Sequence, residues 1–178
     1  MHKFKINLII FSLIFFSSCS KETENIKLIK ETNQKIEMIS AYEKGMDSFE
    51  IGDYFNAGKK FLEAEILFPQ SEWAPKSVLM ASYSYYMQSY YSLAIENIQR
   101  YFQTYPNDKN KAYAHYLLAI VYYETIEGEK KDLAPLLLSK KEFNFVIKNF
   151  PNTDYAYDAK FKIDLINDIL AAKEVYIG

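Results

Sequence analysis

Three stretches of this chain end alike, and that recurrence constrains its fold more than any single residue. AGKKFLEAEILFP (57–69), AIENIQRYFQTYP (94–106) and SKKEFNFVIKNFP (139–151) share one spacing. Each sets a small residue, an apolar one four later, another three after that, and a proline five further on. The positions are Ala57, Phe61, Ala64 and Pro69; Ala94, Ile98, Tyr101 and Pro106; and Ser139, Phe143, Val146 and Pro151. Spacings of three and four are helical. Proline ends such a helix, because it lacks the amide donor and drives the preceding residue out of helical geometry. The prolines lie 37 and 45 residues apart, a period that marks an array of helical units, none of which buries its apolar side alone.

The pattern matches the second half of a tetratricopeptide repeat, whose period is roughly 34 residues. Gly52-Asp53-Tyr54 supplies the turn between the two helices of the first unit. The extra residues fall near Gln70 to Trp73 and in the polar stretch from Thr125 to Asp132, at links where a solenoid tolerates insertion. The expected fold is all-α, a tetratricopeptide-like solenoid of helical hairpins with about three and a half repeats in residues 36–178. The repeats cover about 36–69, 72–106 and 109–151, with a partial one at 153–178. Helices are expected at about 36–51, 54–68, 72–87, 90–104, 109–126, 133–149 and 153–176. Gly45, Ala57, Ala64, Ser82, Ala94 and Ala119 let paired helices approach, while Phe61, Tyr85, Ile98, Leu118, Tyr122 and Phe143 fill the space between repeats. Lys44 occupies a usually apolar position, which an end repeat tolerates. The last helix opens after an Asn152-Thr153 cap and has no partner after it. Phe161, Leu165, Ile169 and Ala172 are then left half covered, and this 178-residue form reads as an incomplete unit.

Composition removes most enzyme classes. Only Arg100 among the 21 basic residues is an arginine, and 23 acidic residues leave a formal charge of −2. Phosphate neutralisation needs a concentrated basic face, so no nucleic-acid partner is expected. The five glycines form no phosphate-cradling spacing, and one cysteine with two histidines cannot build a disulfide framework or a Cys/His zinc site. No catalytic residue, cofactor or metal is expected, since no nucleophile, base and orienting group can be assembled. His115 reads as a packed core residue. Glu124, Glu127, Glu129 and Asp132 read as a solvated link. The run Tyr83, Tyr85, Tyr86, Tyr90 and Tyr91 lacks the basic groove of a base-stacking platform.

Residues 1–18 read as a signal peptide: Lys3 and Lys5 precede an apolar stretch from Ile6 to Phe16, interrupted by Asn7 and Ser12. That stretch falls short of the ~20 residues that span a bilayer. Ser17-Ser18 then precede the lone Cys19, which resembles a bacterial lipobox with Phe16 where leucine is usual. Lipidation at Cys19 is the expectation, with a simple secretory signal as the alternative. Ser20 after the cysteine resembles the sorting pattern of outer-membrane lipoproteins, and residues 19–35 read as a polar tether.

On these residues the chain resembles the BamD family of outer-membrane assembly lipoproteins. The specific pieces are EWAPKSVLMASYSYY (72–86), RYFQTYPND (100–108), AYAHYLLAIVYYE (112–124) and FPNTDYAYDAKFKIDLINDILAAKEVYIG (150–178). The resemblance implies a non-enzymatic scaffold of the β-barrel assembly machinery, lipid-anchored at the periplasmic face of the outer membrane. Its implied partners are a BamA-type barrel-assembly protein, other assembly-machinery lipoproteins and unfolded outer-membrane proteins. The family has five repeats; the fourth is half present here and the fifth is missing. Its carboxy-terminal docking residues therefore have no counterpart in this sequence. The alternative is another periplasmic repeat lipoprotein, acting as a cell-envelope or division adaptor.

In such repeats the first helix of each unit lines a concave face. Counting from Gly45, Ser82 and Ala119, the groove positions are Tyr42, Met46 and Phe49; Leu79, Tyr83, Tyr86 and Met87; and Tyr113, Tyr116, Ile120 and Tyr123. A groove so apolar marks an interaction site, and tyrosine with methionine suits adaptable contact. The groove of the first two repeats, Tyr42 to Met87, is expected to receive an extended or helical segment rich in aromatics, such as the terminal signal of an unfolded β-barrel protein. The alternatives are filling by the tether or tyrosines packed on one another.

Overall fold

The computed structural model describes residues 20–125 and 133–177. The expected signal peptide at 1–18, Cys19, and Glu127, Glu129 and Asp132 of the polar link lie outside them. The described residues form α1 (Ser20–Glu50), α2 (Tyr54–Leu67), α3 (Trp73–Met87), α4 (Tyr91–Thr104), α5 (Lys111–Glu124), α6 (Ala134–Asn149) and α7 (Asp154–Ile177), with no strand among them. Each helix packs on the next, and α3 also meets α5 as α5 meets α7. The first helices of successive hairpins therefore stand side by side. This is the all-α repeat solenoid that the proline period implies.

The same backbone device closes successive hairpins. The Gly52 amide donates to the Phe49 carbonyl (3.1 Å) and the Asp53 amide to the Ser48 carbonyl (2.9 Å). In the next repeat Ser89 donates to Tyr86 (2.9 Å) and Tyr90 to Tyr85 (2.8 Å). These bonds satisfy the last carbonyls of α1 and α3 and require a left-handed residue at the turn. Gly52 takes it at φ 80° and Ser89 at φ 61°. The second helices end equally alike. Phe68, Tyr105 and Phe150 each donate to the carbonyl four residues back, from Ala64, Tyr101 and Val146, and then turn extended before proline.

The small residues lie where helices touch. Gly45, Ala57, Ala64, Ser82, Ala94 and Ala119 are all buried. A β-carbon on Gly45 would stand 2.8 Å from Phe61 Cδ1, and one on Gly58 would stand 2.7 Å from Tyr85 Cε1. Phe61 thus seats in a notch of α1 and Tyr85 in a notch of α2. Ser139 Oγ donates to the Ala119 carbonyl at 2.8 Å, so α5 and α6 approach closely as well.

Polar clamps join the repeats. Glu65 on α2 is only 4% exposed. It accepts a two-pronged pair from the sole arginine, Arg100 on α4 (2.6 Å each), and a third bond from the Tyr105 hydroxyl (2.8 Å). A bidentate guanidinium–carboxylate pair carries strong geometric specificity, and here it fixes the second repeat on the first. The buried Tyr101 hydroxyl donates to Asp108 (2.6 Å), which also accepts from the Asn110 amide (2.9 Å). Burial alone would raise the Asp108 pKa; these bonds more than offset it and hold the carboxyl below its usual range.

One expectation changes. Residues 20–35, expected as a polar tether ahead of the first helix, continue α1 without a break from Ser20. Their described side chains are exposed or nearly so, which is why no apolar stripe announced a helix; they inherit the helix from the packed half of α1. Tyr122, expected between repeats, packs half-buried against the main core and accepts from Gln99 of the preceding repeat through its hydroxyl (3.2 Å).

Ser89 carries a side chain at a left-handed position that glycine fills one repeat earlier. Ser89→Gly should stabilise the fold by about 0.5–1 kcal/mol, the relief of the left-handed penalty exceeding the entropy gained by the unfolded chain. Urea unfolding of the two forms measures it; an unchanged or lower midpoint would show that the turn is unstrained.

Candidate functional site: the concave aromatic groove

The groove residues group into four tiers set by the repeat offsets of 37 and 45. Tyr42, Leu79, Tyr116 and Phe161 share one register position. Met46, Tyr83, Ile120 and Leu165 share the next, followed by Phe49, Tyr86, Tyr123 and Asp168. Ile39, Lys76, Tyr113 and Asp158 precede them. This register places Met87 off the groove positions, and it is exposed at the end of α3. It adds Ile39 and Lys76, which a search for aromatics passes over. It also carries the groove onto α7, where Phe161 is 74% and Leu165 45% exposed. Those two residues, expected to await a covering helix, lie in groove register.

The rings pack on one another. Phe49 stacks on Tyr83 (5.7 Å between centroids) and Tyr83 on Tyr86 (6.1 Å), with Tyr91 next along. Across the second half, Tyr155 of α7 touches both Tyr113 (5.6 Å) and Tyr116 (5.3 Å). The Tyr116 hydroxyl donates to Asp158 at 2.6 Å. Tyr83, Tyr86, Tyr91, Tyr113 and Tyr116 are half-buried, Tyr155 is exposed, and Leu79 is 3% exposed, a core residue that only borders the groove. The expectation of freely solvent-facing rings is thereby corrected. First helices lie close enough that each ring both lines the groove and seals the seam to its neighbour. Burial raises the hydroxyl pKa of Tyr42, Tyr86, Tyr113 and Tyr116. For Tyr86 the nearby Glu124 carboxylate adds to the effect, and for Tyr116 the bond to Asp158. These hydroxyls stay protonated donors across the physiological range. The 20–35 segment extends α1 as helix instead of folding back as a loop that could fill the groove.

Trp73, the only tryptophan, begins α3 and was absent from the expected groove. Its ring meets Tyr42 edge-on (5.1 Å), and Lys76 Nζ lies over both rings, 4.8 Å from Trp73 and 5.5 Å from Tyr42. Trp73 borders three hollows, two of them beside groove residues. One, about 360 Å³, is lined by Ile39, Tyr42, Glu43, Met46 and Asp47. The other, about 500 Å³, opens between α3, α5 and α7. The one available signal was register, since Lys76 and Ile39 are the repeat equivalents of Tyr113.

His115 is packed, as expected: its ring lies between Phe102 (4.2 Å) and Phe145 (4.0 Å), with Nδ1 2.7 Å from Glu142 Oε2. Among the described residues no cluster of histidine, cysteine and acidic groups could hold a metal, and no helix is long and apolar enough to cross a membrane.

A family model described as YfiO, outer membrane lipoprotein, matches residues 34–178. The chain is 36% identical over 162 residues to the outer membrane protein assembly factor BamD of Caulobacter vibrioides, covering 91% of this chain and 52% of that protein. It is 35% identical over 150 residues to BamD of Rickettsia prowazekii, covering 84% of this chain and 60% of that one. It thus spans roughly half to three-fifths of these relatives' length. Among solved structures, the first tetratricopeptide domain of Spaghetti (RPAP3) bound to the HSP90 peptide SRMEEVD matches with a TM-score of 0.59 at 17% identity, over 77% of this chain and 95% of that one. The NMR structure of the first such domain of human RPAP3 matches at 0.57 and 18% identity, over 78% and 95%. At that identity these two establish the fold alone.

Because the groove rings are also seams, their truncation has a structural cost. Tyr83→Ala should destabilise by about 1–2 kcal/mol, and Tyr83→Phe, which keeps the stack on Phe49 and Tyr86, by under ~0.5 kcal/mol. Denaturant unfolding of both variants checks this; equal stability of the alanine form would mean that the ring supports nothing.

Proposed function

The chain belongs to the YfiO family of outer membrane lipoproteins, which includes the BamD assembly factors, and on that footing we propose that it is a non-enzymatic scaffold in β-barrel assembly. Anchored through a lipid on Cys19 at the periplasmic face of the outer membrane, it holds a BamA-type barrel protein and receives unfolded outer-membrane proteins. The observation that carries the reading is the concave groove. Two ring clusters line the first-helix face, Phe49 with Tyr83 and Tyr86, and Tyr113 and Tyr116 with the exposed Tyr155 of α7, and an apolar surface of that kind marks an interaction site. Tyrosine contributes large, rigid contact area at low entropic cost and keeps a hydroxyl for backbone groups of varied sequence, which suits a receiver of many clients. A repeat domain of the same fold binds a peptide in a solved neighbour, so peptide binding is within the means of the architecture.

The helical 20–35 segment gives the anchor a further role. Beginning directly after Cys19, sixteen helical residues make a strut of about 24 Å at 1.5 Å per residue. The repeats are thereby held off the membrane surface, leaving the groove accessible to chains in the periplasm.

Photo-crosslinkers at Tyr42 and Tyr83, and at Ile66 on α2, which is 75% exposed, test the reading in the full lipidated chain in its own membrane. Crosslinks to unfolded outer-membrane proteins from the two groove positions, with little from Ile66, are the expected outcome. Equal yields from all three, or none from the groove, would remove the groove from function.

A further inference from the structure

A hollow of different chemistry lies at the opposite edge of the solenoid, where the turn between α3 and α4 meets the end of α5. Ser89, Tyr90, Tyr91, Ser92, Leu93 and Thr125 line a space of about 290 Å³, at the small end of ligand pockets, which start at roughly 300 Å³. Five of these six residues carry a hydroxyl and none carries a charge. The fold does not consume those hydroxyls. Tyr91 reaches Ser89 Oγ only at 3.4 Å, well beyond the ~2.7–2.8 Å of a good O–H···O bond. Thr125 donates its proton to the Tyr122 carbonyl (2.7 Å), which leaves its oxygen free to accept. Tyr90 is exposed, and Phe55 braces its ring at 5.4 Å. Leu93, also exposed, is the one aliphatic side chain of the lining. Ser89 holds φ 61° where the preceding repeat uses Gly52 at φ 80°, so a side chain is kept where the backbone disfavours one. Strain that persists in this way concentrates at functional sites.

We propose that this hollow binds an uncharged, N-acetylated sugar ring of an envelope glycan. The lining decides the class. An ionic ligand would find no counter-charge here, and an apolar one would leave polar groups without partners. A sugar ring answers both conditions, because its hydroxyls donate and accept on the rim while its C–H face is apolar. Tyr90 offers the matching apolar body with a polar tip, Ser89 and Ser92 bond the ring hydroxyls, and the Thr125 oxygen accepts from one of them. Leu93 gives the acetyl methyl an aliphatic contact. The position favours a polymer over the sugar of a lipid headgroup. First helices end at this edge, and α1 carries its 31 residues over about 46 Å at 1.5 Å per residue. In the anchored chain proposed above, the hollow therefore lies far from the lipid on Cys19.

The test uses the full lipidated chain in a detergent without a sugar headgroup, with a β-1,4-linked tetramer of N-acetylglucosamine and with maltotetraose. Saturation-transfer NMR gives each affinity and the ligand protons nearest the protein. The acetylated tetramer should bind, with its acetyl methyl protons the most strongly saturated, and maltotetraose should bind at least about fivefold more weakly. Ser89→Gly and Thr125→Val should each weaken the tetramer at least about fivefold. Loss of binding in Ser89→Gly cannot come from unfolding, since that variant should melt above the native chain. Peptide-free glycan strands from cell walls should co-sediment with the native chain and not with Ser89→Gly. No saturation of either sugar, or unchanged affinity in both variants, would overturn the site. Equal binding of the two tetramers would overturn the acetylated ring. Tetramer binding without co-sedimentation of glycan strands would overturn the polymer in favour of a free sugar.

Discussion

The structure depends on rings seated in glycine notches. Phe61 enters the space left by Gly45, and Tyr85 the space left by Gly58; in each, a single added β-carbon would collide with the ring below 3 Å. The first notch sets the spacing within a hairpin and the second sets the spacing between hairpins. Interiors packed to crystal-like density transmit such a constraint, so the positions of α1, α2 and α3 follow from it. The Glu65–Arg100–Tyr105 cluster then fixes the angle at which the next second helix lies. Apolar stacking drives the assembly, and the buried polar cluster specifies one arrangement.

The groove is a consequence of that spacing. First helices brought this close cannot present free tyrosines, so Phe49, Tyr83 and Tyr86, and then Tyr113, Tyr116 and Tyr155, lean on one another across the seams. On the proposed reading, stability and recognition share the same side chains. A surface built in this way is stiff, with its rings ordered before a client arrives, which lowers the entropic cost of binding. The price is that few of its residues can be changed without loosening the solenoid.

Much of this was legible in the sequence. The Ala/Phe/Pro spacing located every helix after the first to within a few residues, because each proline and each Gly52-type turn acts locally. The small residues were readable for the same reason, since a helical register fixes which positions face a partner. Three features were not readable. The extension of α1 to Ser20 is dictated by no stripe of its own. Leu79 and Tyr83 share a groove face in any helical wheel, yet one is buried and the other half-buried; only the distance between first helices decides that. The pairing of Arg100 with Glu65, 35 residues apart, joins two second helices whose contact exists only after stacking. Trp73 and Lys76 were missed because an expectation of aromatics looked past the register position that Lys76 holds.

The central claim is that unfolded clients lie on the first-helix face and nowhere else. Methyl-labelled methionine reports on it directly, since Met46 and Met80 line the two groove-side hollows beside Trp73, while the fully buried Met38 borders a third hollow on the side of the α1 extension. When an unfolded outer-membrane protein is titrated into the lipidated chain, the Met46 and Met80 resonances should shift together and Met38 should stay in place. Unmoved groove methyls in the presence of bound client, or shifts confined to other parts of the molecule, would contradict the account.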